Sequence, residues 1–436
     1  MIVPEDYKMK KSNILAVIGS GSTYTPELID GIIKYKDSIC FKEIRLMDID
    51  IRKLTIVGNL CKRMIEAEGL DCKVIMTDVL DDALVSADFV VAQIRVGRLP
   101  ARILDEKIPL KYGLIGQETT GIGGFFKALR TVPVMVDIAK RMERLCPDAY
   151  LINFSNPSGI VTQAIHNNTS IKVIGLCNVP INMVDSVSEY MELQDVTVEY
   201  VGLNHLSWLT KITSDGKDYL QEAIEKGINA TPMKNIQAEG FSSECMSVAG
   251  GIPSTYLEYF YNRNKKLNEE LSAEKVRGEV CMEIEEELLK IYEDSALHVK
   301  PAQLDQRGGA KYSMAAISLI DSIANDKNDT HIVGVKNGKT LPFLHENDII
   351  EVSCLIGKHG AAPIEIKDFD NEHIIELMQV VKAYERHTVK AALTGDNNEA
   401  LRALMINPLI GDFNAAKACF EELKEAHKEY LPAFFN

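Results

Sequence analysis

Short apolar runs rich in β-branched residues alternate with amphipathic stretches through the first half of the chain. The runs Ile14–Ile18, Glu43–Met47, Lys73–Met76, Asp88–Ile94, Ala149–Phe154 and Lys172–Leu176 read as strands. Between them, helices are expected over Pro26–Tyr35, Arg52–Glu68 and Val132–Leu145, where apolar side chains return every three or four positions. This rhythm predicts an α/β fold: an N-terminal Rossmann-like, doubly wound parallel sheet with helices on both faces. Ligands of such sheets bind beyond the carboxyl ends of the strands, so Arg95, Asn153 and Cys177 are expected to face one crevice.

The rhythm changes near residue 200. Strand-like Val196–Val201 and Trp208–Ile212 give way to a polar, turn-rich stretch reaching Gly251. Charged helices are expected at Ala273–Tyr292 and His373–Leu393, with β-rich His331–Val335 and Ile349–Leu355 between them. The expectation is two domains. Residues 1–200 would bind a nucleotide, and a mixed α/β domain over 201–436 would close over the crevice and carry substrate, metal and oligomer contacts.

Composition narrows the function. Across 436 residues, 46% hydrophobic and 25% charged side chains suit a globular protein. A net charge of -15, with no basic stripe carrying interleaved aromatics, argues against nucleic acid. An anionic substrate would need a local cluster of arginines. No run approaches the roughly 18 apolar residues of a membrane span. Lys8, Lys10 and Lys11 stand before an apolar run too short for a signal peptide. Nine cysteines without framework spacing read as reduced thiols in the cytosol.

The turn Gly19-Ser20-Gly21-Ser22 directly follows the first strand. Gly19 and Gly21 fit the first two glycines of a dinucleotide fingerprint, while Tyr24 takes the third position. Ser22, Thr23 and Thr25 offer hydroxyls to phosphate, and Pro26 suits a first helical turn. Asp48, ending the second strand, is placed to accept from a ribose hydroxyl, which favours NAD over its 2′-phosphorylated form. An ordinary strand–turn–helix is the competing reading. Two similar phrases, Gly175-Leu176-Cys177-Asn178 and Gly202-Leu203-Asn204-His205, add a thiolate and an imidazole, donors that a divalent transition metal selects. Their spacing matches no zinc finger, so the metal reading is an open catalytic site. A core cysteine and a scaffold histidine are the alternative.

At these residues the chain resembles the family 4 glycoside hydrolases, the NAD- and divalent-metal-dependent 6-phospho-glycosidases. The matching segments are IGSGSTYTPELI at 18–29, QIRVGRLPARILDEKIPLKYGLIGQETTGIGG at 93–124, INFSNPSGIVTQA at 152–164, GLCNVP at 175–180, VGLNHLSW at 201–208, RGGAKYSMAAISLI at 307–320 and HKEYLPAF at 427–434. The family stands outside the paired-carboxylate scheme of most glycosidases. The resemblance implies a redox-neutral elimination. Oxidation at C3 of the sugar leaves a ketone that acidifies the C2 proton. A base removes that proton, the metal supports the enediolate, and the C1 aglycone departs. Water then adds and the hydride returns, so no NAD is consumed.

The resemblance also implies roles. Cys177 and His205 match the metal ligands, with Mn²⁺ the expected ion. Tyr256, in Pro253-Ser254-Thr255-Tyr256, matches the catalytic base, and Tyr259 and Tyr261 are close alternatives. A phenol needs nearby positive charge to act as a base, from the metal or from Arg277. Arg95, Glu118, Asn153 and Asn178 match substrate- and metal-shell positions, and Arg277 is taken as a further substrate contact. Arg98, Arg102 and Arg130 are weaker phosphate candidates. Asn178 stands where α-specific members place Asp, which points to the 6-phospho-β-glucosidase branch acting on phosphorylated cellobiose-type sugars. It leaves the proton donor to the aglycone open. A cytoplasmic homodimer or homotetramer is implied. The alternatives are an α-glycosidase of the same family, a plain NAD-dependent hydroxy-acid dehydrogenase, and a non-catalytic NAD-sensing protein.

Overall fold

The computed structural model describes residues 12–231, 239–307 and 312–435. Lys8, Lys10 and Lys11, part of the turn-rich stretch before Gly251, and residues 308–311 of the RGGAKYSMAAISLI segment lie outside the described residues.

The six strands expected in the first half are present: β1 (Ser12–Ile18), β2 (Cys40–Met47), β3 (Lys73–Thr77), β4 (Phe89–Ala92), β5 (Tyr150–Asn153) and β6 (Lys172–Gly175). They pair in parallel in the order β3-β2-β1-β4-β5-β6, the doubly wound arrangement whose connections reverse between β1 and β4. Leu15, Ala16 and Val17 are wholly buried, as expected of a parallel strand covered on both faces.

Helices Thr25–Lys34 and Ile51–Ala67 fall where the apolar spacing places them. The third differs. It runs from Gly121 to Leu145, eleven residues earlier than the expected start at Val132, because glycines, a Phe pair and an internal Pro133 hide its period. Helices Leu80–Leu84, Arg98–Leu110, Ser158–Asn168 and Val179–Met191 complete the connections of this half.

The strands of the second half are β7 (Thr197–Leu203), β8 (Leu206–Ser214), β9 (Lys217–Asp218), β10 (Ile252–Pro253), β11 (Asp329–Lys336), β12 (Ile349–Gly357) and β13 (Gly360–Pro363). They extend the same sheet rather than forming another. From β6 it continues through β11, β12, β7, β8 and β10, with β13 on β12 and β9 on β8. The joint is antiparallel and narrow, Gly334 against Gly175, where a Cβ on Gly334 would stand 3.2 Å from the Gly175 Cα. Helix Arg277–Tyr292 starts four residues after the expected Ala273, with the Glu279 carboxylate accepting from Val276 N–H at 3.1 Å to cap its first turn. Helix Glu372–Thr394 matches its expected span and packs on helix Gly121–Leu145, joining the two halves. Among the described residues no helix is long and apolar enough to cross a membrane.

Candidate active site

The chain leaves β1 at Ile18 and turns into helix Thr25–Lys34. Gly19 has φ +87°, and a Cβ there would lie 3.0 Å from the Gln93 carbonyl, so the turn requires glycine. At Gly21 a Cβ would meet the Asp48 carboxylate at 2.9 Å. Instead, Gly21 N–H donates to Asp48 Oδ2 at 2.8 Å, and Asp48 Oδ1 accepts from Asp50 N–H at 2.9 Å. Ser22 is half-buried, its hydroxyl accepting from Tyr24 N–H at 3.3 Å. The Thr23 side chain is buried and accepts from Arg307 Nε at 3.3 Å, which leaves its O–H to donate, and its carbonyl accepts from the Tyr292 hydroxyl at 2.9 Å. These bonds tie the turn to the second half. The Ser20 hydroxyl is buried and has no partner among the described residues. A glycine turn at a helix N-terminus, a carboxylate across it and a buried orphan hydroxyl together fit a dinucleotide.

Three strands along the sheet from β1, β6 delivers Cys177 and Asn178, both buried, to the N-terminus of helix Val179–Met191. His205 is the second residue of the two-residue turn between β7 and β8. Its φ of +67° is a conformation that costs a non-glycine residue about 1–3 kcal/mol. The imidazole is buried and stacks on Tyr256, with ring centroids 3.7 Å apart and planes 11° from parallel. Burial, with the nearby Lys127 cation, pushes this histidine down to about 3. It is therefore neutral and keeps a lone pair for a metal. Burial and the neighbouring Cys177 push the Tyr256 phenol up, while Thr119 and the Arg102 cation act the other way. The Thr119 hydroxyl lies 3.3 Å from the Tyr256 hydroxyl. Tyr259 stands behind, its centroid 6.3 Å from that of Tyr256, and Tyr261 turns to Trp208 Nε1 at 3.2 Å and His373 Nε2 at 2.8 Å. Among the described residues no three His, Cys, Asp or Glu side chains gather to hold a metal. A thiolate and a neutral imidazole fit a divalent transition metal with positions left open, the donor pattern of a catalytic site.

Glu118 lies close enough to act on both rings. Its carboxylate is bound by Arg95, by Arg102 at 3.0 Å and by Lys127 at 2.8 Å. Burial raises this carboxyl, but Arg102, Arg95 and Lys127 reverse the effect and hold it well below the usual range. Burial and Arg95 together push Lys127 down to about 7. Arg95 keeps 28% of its side chain exposed, against 4% for Arg102 and 5% for Lys127, so it is the cation a ligand reaches first.

Other expected residues are placed differently. Asn153 ends β5 beside Ala92 and Gly175, but its amide is spent inside the fold. Nδ2 donates to Thr162 Oγ1 at 3.1 Å and Oδ1 accepts from Ser155 N–H at 2.9 Å, which shapes the following turn. Arg277 donates to the carbonyls of Gln306 and Arg307, both at 3.1 Å, and acts on Tyr24, whereas Arg102 is the cation that lowers Tyr256. Arg102 and Arg130 are not open phosphate ligands. Arg102 is buried against Glu106 at 2.7 Å, and Arg130 pairs with the buried Asp105 at 2.6 Å. Arg98 is half-exposed and pairs with Asp50 at 3.0 Å.

Lys127, Thr119 and Glu351 escape the motif reading. Lys127 and Glu351 had a signal: each is a lone charge inside an apolar run, Phe125-Phe126-Lys127-Ala128-Leu129 and Ile349-Ile350-Glu351-Val352. A small open pocket lies beside His205, with Thr119, Asn204 and Glu385 on its wall.

Residues 14–193 match the family described as family 4 glycosyl hydrolase, and residues 200–410 match the family 4 glycosyl hydrolase C-terminal domain. The chain is 43% identical to a Bacillus subtilis (strain 168) protein named probable 6-phospho-beta-glucosidase, over 98% of this chain and 99% of that one. It is 38% identical to the Escherichia coli (strain K12) 6-phospho-beta-glucosidase, over 96% of each. A solved structure of the Thermotoga maritima 6-phospho-beta glucosidase with manganese, NAD+ and glucose-6-phosphate superposes with a TM-score of 0.87 at 34% identity, covering 96% of this chain and 99% of that one. By sequence and by fold, this chain belongs to the family 4 glycosyl hydrolases.

Proposed function

We propose that the chain hydrolyses 6-phospho-β-glucosides by the NAD- and divalent-metal-dependent elimination and addition of its family. The observation that carries this reading is the stack of Tyr256 on His205 with Cys177 in reach, beside the Arg95–Glu118–Lys127 cluster. The names of the relatives at 43% and 38% identity support the β-linked, phosphorylated substrate, as does Asn178 in place of an acid.

When bound, NAD⁺ supplies a reversible hydride acceptor and Mn²⁺ a Lewis acid at the sugar oxygens. Gly19, Gly21, Ser22 and Asp48 would hold the dinucleotide, and Cys177 with His205 the metal. Tyr256 would take the C2 proton as its phenolate, a form that burial opposes and that the Arg102 cation and a metal on Cys177 and His205 would favour, with the ring oriented by its stack on His205. Arg95 would hold the phosphorylated sugar, with Glu118 fixing it in place and the buried Lys127 adding positive charge behind it. Asn178, an amide, orients the leaving oxygen but gives it no proton.

Residues 1–200 would serve as the nucleotide domain and 201–436 as the substrate and oligomer domain, a division supported by the two family matches, which part between residues 193 and 200, and by the narrow Gly334–Gly175 joint in the sheet. Assembly into a dimer or tetramer rests on the family resemblance alone. A cytoplasmic location fits a sugar that is phosphorylated as it enters the cell. The deciding assay offers the paired p-nitrophenyl α- and β-glucoside 6-phosphates with NAD⁺ and Mn²⁺. Cleavage of the β compound alone, without net NADH, is expected. Cleavage of only the α compound overturns the anomer, and net NADH formation with neither cleaved overturns the activity.

A further inference from the structure

The geometry assigns Glu351 a positioning role: through Asn204 it fixes the β7–β8 turn and so aims His205. This rests on the metal reading of Cys177 and His205 given above.

Glu351 sits on β12 opposite Gly202 of β7, 2% exposed. Its Oε1 accepts from Asn204 Nδ2 at 3.2 Å and its Oε2 from the Tyr200 hydroxyl at 3.0 Å. That hydroxyl is 2.6 Å from Ser207 Oγ. Tyr200, Asn204 and Ser207 all belong to the hairpin that carries His205. One carboxylate thus gathers both strands and the turn. The far side of Asn204 is held as well, its Oδ1 accepting from Gly159 N–H at 3.4 Å. A Cβ on Gly159 would lie 3.2 Å from both Asn204 Cβ and Glu385 Oε1, so Asn204 packs closely on the Gly159 backbone.

An apolar residue would suit the run Ile349-Ile350-Glu351-Val352 better, since a buried carboxyl whose partners are an amide and a hydroxyl is costly. The cost has an evident use. His205 is held in a left-handed conformation that an unsupported turn would relax, and relaxation would swing its imidazole off Tyr256 and away from Cys177. Partners that orient a metal ligand govern metal affinity without touching the ion.

The test titrates Mn²⁺ into the full chain and follows the free-ion electron paramagnetic resonance signal. NAD⁺ affinity and melting temperature are measured beside it. Glu351→Ala and Asn204→Ala should each weaken Mn²⁺ binding by about ten- to a hundredfold, and leave NAD⁺ affinity within about twofold. Glu351→Gln, whose amide oxygen still accepts from Asn204, should stay within about threefold of the wild type. A merely structural residue would lower the melting temperature without this selective loss and without rescue by Gln. Wild-type Mn²⁺ affinity in both alanine variants, or a Gln variant as weak as Ala, overturns the role of Glu351. If Glu351→Ala does not fold, Asn204→Ala and Glu351→Gln decide alone. A wild-type chain that binds no Mn²⁺ overturns the metal reading and this inference with it.

Discussion

Glu118 and Glu351 are both buried beside His205, and burial raises the carboxyl of each, yet they end in opposite states. At Glu118 three cations more than reverse the effect, and the carboxyl lies well below its usual range. At Glu351 burial prevails over bonds from Asn204 and Tyr200, with Glu385 adding to the rise, and the carboxyl is pushed up to about 7. The first setting concentrates positive charge where an anionic sugar must be gripped, with Arg95 at its accessible edge. The second uses nearly neutral hydrogen bonds to fix a shape. The same side chain serves as a counter-ion in one wall and as a brace in the other.

Removing the metal donor should have the largest effect. Cys177→Ser is expected to lower turnover on the order of ten-thousandfold, and chelation of the metal should do the same until Mn²⁺ is restored. NAD⁺ affinity should be unchanged; parallel loss of both would make Cys177 a core residue. Next, Tyr256→Phe keeps the stack on His205 but removes the proton acceptor, and kcat should fall on the order of a thousandfold. A loss of tenfold or less would transfer the role to another group.

The contrast itself is sharpened by smaller changes. Arg95→Ala should raise KM for the phosphorylated substrate about a hundredfold with little change in kcat. A fall in kcat at constant KM would show that the charged wall does not grip the phosphate. At the other wall, the Glu351 carboxyl is pushed above its unfolded value near 4.3, so the stability it contributes is full below pH ~4 and is lost as pH rises through about 7. Glu351→Gln lacks this loss, and its melting temperature relative to wild type should rise by about 3 °C between pH 5 and pH 8.5. A constant difference across that range would show that the fold does not push the Glu351 carboxyl up.

The parallel half of the sheet was legible because its strands are short β-branched runs between amphipathic helices. The attachment of β11 and β12 beside β6 was not, because Gly175 and Gly334 carry no side-chain signal of pairing. In the site, Cys177, His205 and Tyr256 stood out through motif and resemblance, and the structure gathers them. Asn153, expected from resemblance to touch the ligand, spends its amide on Thr162 and Ser155, and Thr23 and Arg277 are tied to Arg307 and to the Gln306 and Arg307 carbonyls. Partnership between residues so far apart in the chain leaves no trace in local spacing. Lys127 and Glu351 were visible as lone charges in apolar runs, but their partners depend on the fold.

The account turns on reversible loss of the proton at C2 while a tyrosine stands beside it. Hydrolysis of p-nitrophenyl β-glucoside 6-phosphate in D₂O, with NMR of the released glucose 6-phosphate, tests this directly. Deuterium at C2 with no net NADH is the expected result. Product that keeps its original hydrogen at C2 would contradict the mechanism, whatever the rate of cleavage.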